Sequence, residues 1–312
     1  MKNNIKGPIL LFITAIIWGV AFVSQRSAAS YNLGAFTFNG IRYLLGAIVL
    51  IPFVIFIRTR KNGSYSMLSV DEKKIYNKNT IIGGIVCGLF LCIASSFQQF
   101  GVEGLSSGKT GFITALYIIF VPLLGLCFKK KCSIFVFIAV PVALVGMYFL
   151  CMVGESFAIT KYEVYVFLCA IFFTFQISAV DYFAIKVDCV AMACIEFTVT
   201  GLISLIAMFI FEKPEIETIK SCYVQILYSG IMSSGVAYTL QVVGQKHTNP
   251  TLASLIMSLE STISAIAGWI ILKENLSWQQ WLGCGIMFIA IIIAQIPMKN
   301  KKTGELNQWK PQ

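Results

Sequence analysis

Charged residues are kept out of long stretches of this 312-residue chain, and each stretch is about as long as a membrane is thick. A helix advances about 1.5 Å per residue, so crossing the hydrocarbon core takes roughly 20 apolar residues. Runs of that kind lie at 7–24, 35–57, 80–100, 110–128 and 134–153. Five more lie at 164–184, 190–211, 222–243, 252–272 and 278–296. Lipid offers no hydrogen bonds, so the backbone inside it must satisfy itself. The runs are too long and too evenly apolar for alternating barrel strands, which leaves helices. The expected fold is all-α and polytopic, with ten transmembrane helices.

Composition agrees with this. Hydrophobic residues make up 57% of the chain against 12% charged, and mean hydropathy is +0.80. One soluble core cannot cover that much apolar surface, so the lipid bilayer is an expected partner. The net charge of +10 would suggest nucleic acid in a soluble protein. Here the basic residues sit in short connections between apolar runs, which reads as membrane topology and argues against nucleic acid. Lys2, Lys6, Arg58, Arg60, Lys73, Lys74, Lys78, Lys129–Lys131, Lys186, Lys246 and the lysines of the tail would share one side. The other side keeps only Arg26, Lys109, Lys161, Lys213, Lys220 and Lys273. The positive-inside rule then puts both termini in the cytoplasm of a multi-pass cell-membrane protein. The first run has no clear cleavage site and leads into further spans, so it is expected to be a retained helix.

Few residues suggest covalent chemistry. The ten cysteines lie mostly inside apolar runs with no CxxC, where they act as small hydrophobes. One histidine, His247, cannot build a metal cluster, and neither metal nor cofactor is expected. No carboxylate pair, Ser/His/Asp set or Cys/His set shares one plausible cluster, so the chain does not read as an enzyme. "GLSSGKTG" from Gly104 has one residue too few for a phosphate-binding loop and follows a membrane helix, so it reads as a turn.

The chain repeats itself instead. "AIIWGVAFVSQRSA" from Ala15 aligns without a gap on "AIFFTFQISAVDYFA" from Ala170, setting Trp18 over Phe173. "GLFLCIASSFQQ" from Gly88 aligns on "GIMSSGVAYTLQ" from Gly230, setting Gln99 over Gln241, and one gap sets Arg42 over Glu196. Each half, 7–153 and 164–296, carries five spans, an odd number, so the second copy should lie inverted relative to the first. Inverted repeats characterise secondary transporters, with a site near mid-membrane between the halves.

The segments "WGVAFVSQRSA", "FTFNGIRYLLGAIVL", "SSFQQFGVEGLSSGKTGFITALYIIFVPLLG" and "GWIILKENLSWQQWLGCGIMFIA" resemble the EamA family of the drug/metabolite transporter superfamily. The resemblance implies ten helices in two inverted five-helix repeats around a cavity for a small-molecule substrate. Many relatives export amino acids or other metabolites, which implies an exporter working by alternating access. The alternatives are an importer or passive facilitator and, from another class, a membrane-embedded enzyme or sensor. Two positions depart from the family pattern: Lys131 replaces the usual acidic residue, and Ser261 replaces a proline whose counterpart, Pro122, is kept.

Polar residues inside the spans are the candidate site. Gln99, Gln176 and Gln241 carry amides that would be unsatisfied against lipid and could bind a polar solute. Trp18, Tyr117 and Tyr238 are candidate walls, with plain packing as the competing reading. Gly84, Gly88, Cys92 and Ser95 form a small stripe with Gln99 that reads equally as helix packing. Glu260 is the carboxylate nearest mid-membrane, where an ionised group is expensive, so it is the candidate for proton coupling or for binding a solute amine. Arg42 and Glu196 are expected at matching places in the two halves, about 10 Å from opposite boundaries, each buried in protein and not a direct pair, with structural anchoring slightly ahead of solute contact; Arg42 would be an anion clamp or a fixed countercharge.

Overall fold

The computed structural model describes residues 5–60, 65–128, 134–151, 160–271 and 277–294. Every regular element among them is a helix. Eight spans are long and apolar enough to cross a membrane. Three come first: Lys6–Ser30 (α1), Ala35–Thr59 (α2) and Val70–Val102 (α3). Ser107–Cys127 is broken into Ser107–Thr114 (α4) and Tyr117–Cys127 (α5). After Ile134–Cys151 (α6) come Lys161–Ala184 (α7) and Cys189–Phe211 (α8). A short helix, Ile216–Ser221 (α9), precedes the span Tyr223–Gln245. That span joins Tyr223–Leu227 (α10), a π-helical stretch Tyr228–Tyr238 and Thr239–Gln245 (α11). Pro250–Ile271 is again broken, into Pro250–Met257 (α12) and Leu259–Ile271 (α13). The shorter apolar helices α6 and Trp278–Ala294 (α14) pack on each other.

Element boundaries follow local chemistry. α3 starts ten residues before the apolar run expected at 80, because Ser69 and Glu72 close a capping box. The Glu72 carboxylate accepts from Ser69 N at 2.8 Å, and the Ser69 hydroxyl accepts from Glu72 N at 3.3 Å. The stretch 58–79 left between the second and third apolar runs is thereby shortened as a connection. Ser106 caps α4 by accepting from Lys109 N, so "GLSSGKTG" forms a turn and a helix start. Lys61, Lys129–Lys131, Lys273, Glu274 and the lysines of the tail lie outside the described residues.

Packing uses the small residues. α2 lies along α8, and α3 lies along both α7 and α8. A Cβ at Gly84 would come 2.6 Å from the Ile195 Cβ, and one at Gly88 would come 2.8 Å from Glu196 O. These glycines let the backbones of α3 and α8 approach, which is the packing role their spacing allowed. Around the bundle, large apolar side chains such as Phe53, Phe209 and Ile292 face outward, as lipid requires.

At the end carrying Ser30, the Arg26 guanidinium donates to Val102 O at 2.8 Å and Glu103 O at 2.9 Å, closing α1 onto the end of α3. Glu212 caps α2 by accepting from Phe36 N, Thr37 N and the Thr37 hydroxyl. Nearby, burial and the Glu212 charge hold the Glu103 carboxyl above its usual range, with Lys161 opposing them. Lys109 pairs with Glu163 at 2.9 Å, tying α4 to α7. At the other end, Arg58 lies 3.7 Å from Asp188, the residue that caps α8.

Candidate solute-binding site

The helix breaks decide where the polar side chains converge. Both lie at residues that continue the apolar pattern of their spans, Ala115–Leu116 and Ser258. Around the first, Leu116, Ile118 and Ile119 N–H groups bond three residues back instead of four. Pro122, which has no N–H, follows in α5. The second half has no proline there. Ser254, Ser258 and Ser261 instead donate their hydroxyls to carbonyls three residues back, at 2.8–2.9 Å. Such side-chain bonds compete with the helix ladder and bend it. Tyr117 and Glu260 stand just past the two breaks, and the Tyr117 hydroxyl donates to Glu260 Oε1 at 3.0 Å.

Around that pair lies a buried cavity of about 20 Å³, room for roughly one water. Trp18, Phe22 and Gln25 of α1 form one wall, with Arg42 of α2 and Gln98 of α3 beside them. Phe173 and Ile177 of α7 face these, with Tyr238 and Gln241 near the junction of the π-helical stretch and α11. Trp18 and Tyr238 rings lie 4.6 Å apart, and Tyr238 in turn meets Tyr43 and Phe197 edge-on. Isolated π-helical turns are uncommon, and one here brings Tyr238 and Gln241 to the same wall.

Of the residues singled out from sequence, Trp18, Tyr117, Tyr238, Gln241 and Glu260 meet around this cavity. Gln99 does not: its amide donates to Gln25 O at 3.4 Å, and its neighbour Gln98 takes the place on the wall. Gln176 stands behind the wall, donating to Glu196 Oε1 at 2.8 Å and accepting from Gln241 at 3.2 Å. Arg42 and Glu196 are both buried, and the two make no ion pair. Arg42 also lines the cavity, which its depth in the span alone did not indicate. Gln25, Gln98 and Phe173 are among the lining residues that sequence reasoning passed over. The offset that pairs Trp18 with Phe173 would have found Phe173, and shifting the glutamine alignment by one residue would have found Gln98.

The electrostatics leave this wall unsatisfied. The Arg42 guanidinium donates to the Tyr43 hydroxyl at 3.0 Å and stacks 4.6 Å over that ring, but its Nε finds no protein partner. Trp18 Nε1 and Gln25 Oε1 are likewise buried without partners. Among the described residues neither Arg42 nor Glu260 has an oppositely charged partner. A buried guanidinium, a buried carboxyl, a free indole N–H and amides therefore share one wall with aromatic rings. Buried polar groups need partners, and a solute carrying charge and hydrogen-bonding groups would supply them.

The family model described as the EamA-like transporter family matches residues 5–152 and 160–295. An uncharacterized transporter of Archaeoglobus fulgidus is 25% identical over 288 residues, covering 92% of this chain and 84% of the relative. The uncharacterized transporter YoaV of Bacillus subtilis is 20% identical over 304 residues, covering 96% and 99%. Among solved structures, one crystal structure superposes with a TM-score of 0.73 over 94% of this chain and 97% of its own, at 15% identity. That likeness concerns the fold.

Proposed function

Because the chain belongs to the EamA-like transporter family, we propose that it is a plasma-membrane carrier for a small zwitterionic metabolite such as an amino acid, working by alternating access. The observation that carries the solute class is that Arg42 and Glu260 line one cavity without pairing to each other. A carboxylate would meet the Arg42 fork, and an ammonium would meet Glu260. Trp18, Phe22 and Phe173 would enclose an apolar remainder. The space around them holds about one water, so admitting such a solute requires the walls to part. That requirement supports alternating access over an open pore. Export is the direction that the family resemblance implies. Glu260 is the proposed coupling group, because a proton and a solute amine compete for the same carboxylate.

The proposal includes ten membrane crossings, α6 and α14 among them, in two inverted repeats (7–153 and 164–296) with both termini cytoplasmic. Equivalent positions support it. Trp18 and Phe173, Phe22 and Ile177, Gln98 and Gln241, and Tyr117 and Glu260 stand at constant offsets within matching helices, and all eight line the cavity. Gly101 meets Val166 and Tyr162 O, while Gly244 meets Leu11 and Gly7 O, which repeats the same offsets at the opposite end.

Counterflow of the twenty proteinogenic amino acids in proteoliposomes tests the reading. Saturable exchange of at least one, lost in Arg42→Met and weakened in Glu260→Gln, is expected. Exchange of none of them overturns the zwitterion assignment.

A further inference from the structure

Arg42 and Glu196 hold equivalent places in the two halves, yet they meet the cavity differently. Arg42 stands in its wall, while Glu196 is fully buried behind it. We infer that Glu196 is a positioning residue for the solute site, acting through Gln176 to fix which atoms Gln241 turns toward the cavity. The inference rests on the cavity being the solute site, as proposed above.

The chain of contacts has a direction. Glu196 Oε1 accepts from Gln176 Nε2 at 2.8 Å, so the carboxyl holds the amino end of Gln176 toward α8. The Gln176 carbonyl is thereby turned to Gln241 and accepts from Gln241 Nε2 at 3.2 Å. Gln241 Oε1 keeps only a 3.5 Å contact with Gln176 Nε2, which is already engaged with Glu196. An amide has distinct donor and acceptor ends, so fixing one end of the chain fixes the other. Gln241 is thereby left with its carbonyl as the end free to serve the cavity, whose lining also includes Glu260 and Arg42. Without Glu196, either amide could turn over, and the wall could present a donor where a solute ammonium would need an acceptor.

Nothing else in the surroundings accounts for this carboxyl. Among the described residues Glu196 makes no ion pair, and its Oε2 finds no partner. Among the described residues, Cys87 of α3, Tyr43 of α2 and Tyr238 of the π-helical stretch are the titratable groups that sense its charge, and none of them hydrogen-bonds to its carboxyl. The side chain that Glu196 holds is Gln176, and the cavity residue that Gln176 holds is Gln241.

The test uses the full-length protein in nanodiscs with selective ¹⁵N-glutamine labelling, side-chain NH₂ signals being assigned by single Gln→Leu exchanges. Glu196→Leu should move the side-chain signals of both Gln176 and Gln241 while leaving that of Gln225, which donates to Ser27 and has no bond to this chain of contacts, in place. Glu196→Gln, which keeps shape and polarity, should move them less and guards against loss of folding in the leucine variant. A Gln241 signal unmoved in both variants overturns the proposal. This readout needs no solute, so it decides the question even if no amino acid is exchanged and the zwitterion reading fails. With an exchanged amino acid from the twenty, Glu196→Leu should raise the counterflow KM about 3- to 10-fold. It should have no such effect in a Gln241→Leu background. Equal effects in both backgrounds would mean that Glu196 does not act through Gln241.

Discussion

Single side chains decide what this cavity can hold, and neighbours on one helix turn differ sharply. Gln98 and Gln99 are adjacent in sequence but about 100° apart around a helix, and only Gln98 reaches the wall. For an exchanged solute, Gln98→Leu and Gln241→Leu should each raise KM by about 5- to 100-fold, from roughly 1–3 kcal/mol of unpaired polar groups. Gln99→Leu should move KM less, because that side chain does not line the cavity and its amide is spent on the Gln25 backbone carbonyl. Equal losses at Gln98 and Gln99 in counterflow would remove the distinction. Glu260→Gln should abolish accumulation driven by a pH gradient while leaving a weakened but saturable counterflow, since the amide keeps shape and hydrogen bonding but neither the titration nor the charge that would hold a solute ammonium. Unchanged dependence on the gradient would remove Glu260 from coupling. Sequence brought five of its seven solute-binding candidates to the cavity, because polar groups in apolar runs are few and costly. It ranked anchoring ahead of solute contact for Arg42 because counting residues gives depth in the membrane and not the direction a side chain faces.

Helices are the scale at which hydropathy is most legible. All ten apolar runs coincide with helices among the described residues, because length and composition alone determine what can cross lipid. Interruptions are less legible. The apolar pattern runs unbroken through Ala115, the serines around Ser258 read equally as a packing stripe, and the π-helical stretch has no signature beyond its small residues. Those interruptions nevertheless set the places of Tyr117, Glu260 and Tyr238. Close approach between helices makes a further test. Gly88→Ala drives a Cβ against the Glu196 carbonyl and Val199, and should cost about 1–3 kcal/mol, read as a lower melting temperature in detergent. Gly108→Ala meets nothing within 4 Å and should hold or slightly raise it. Equal melting of the two variants would refute the packing account of the α3 glycines.

The arrangement of the whole molecule can be checked by orientation in the cell. In a Cys-depleted version, Glu217→Cys should react with an impermeant thiol reagent in intact cells, and Met67→Cys should not; both side chains are exposed. Labelling of Met67→Cys alone would invert the topology. The expected orientation rests on the lysines alone, and the register of the repeat was legible only to within one residue, because apolar helices align almost as well one step apart. The contact of Tyr117 with Glu260 shows what a repeat within one chain makes possible. Were the two halves separate identical subunits, the residues meeting on their twofold axis would have to be the same. Two glutamates would repel there, and two tyrosines would offer no carboxylate. Joining the halves in one polypeptide releases that restriction, so one copy can supply the donor and the other the acceptor at the centre of the molecule.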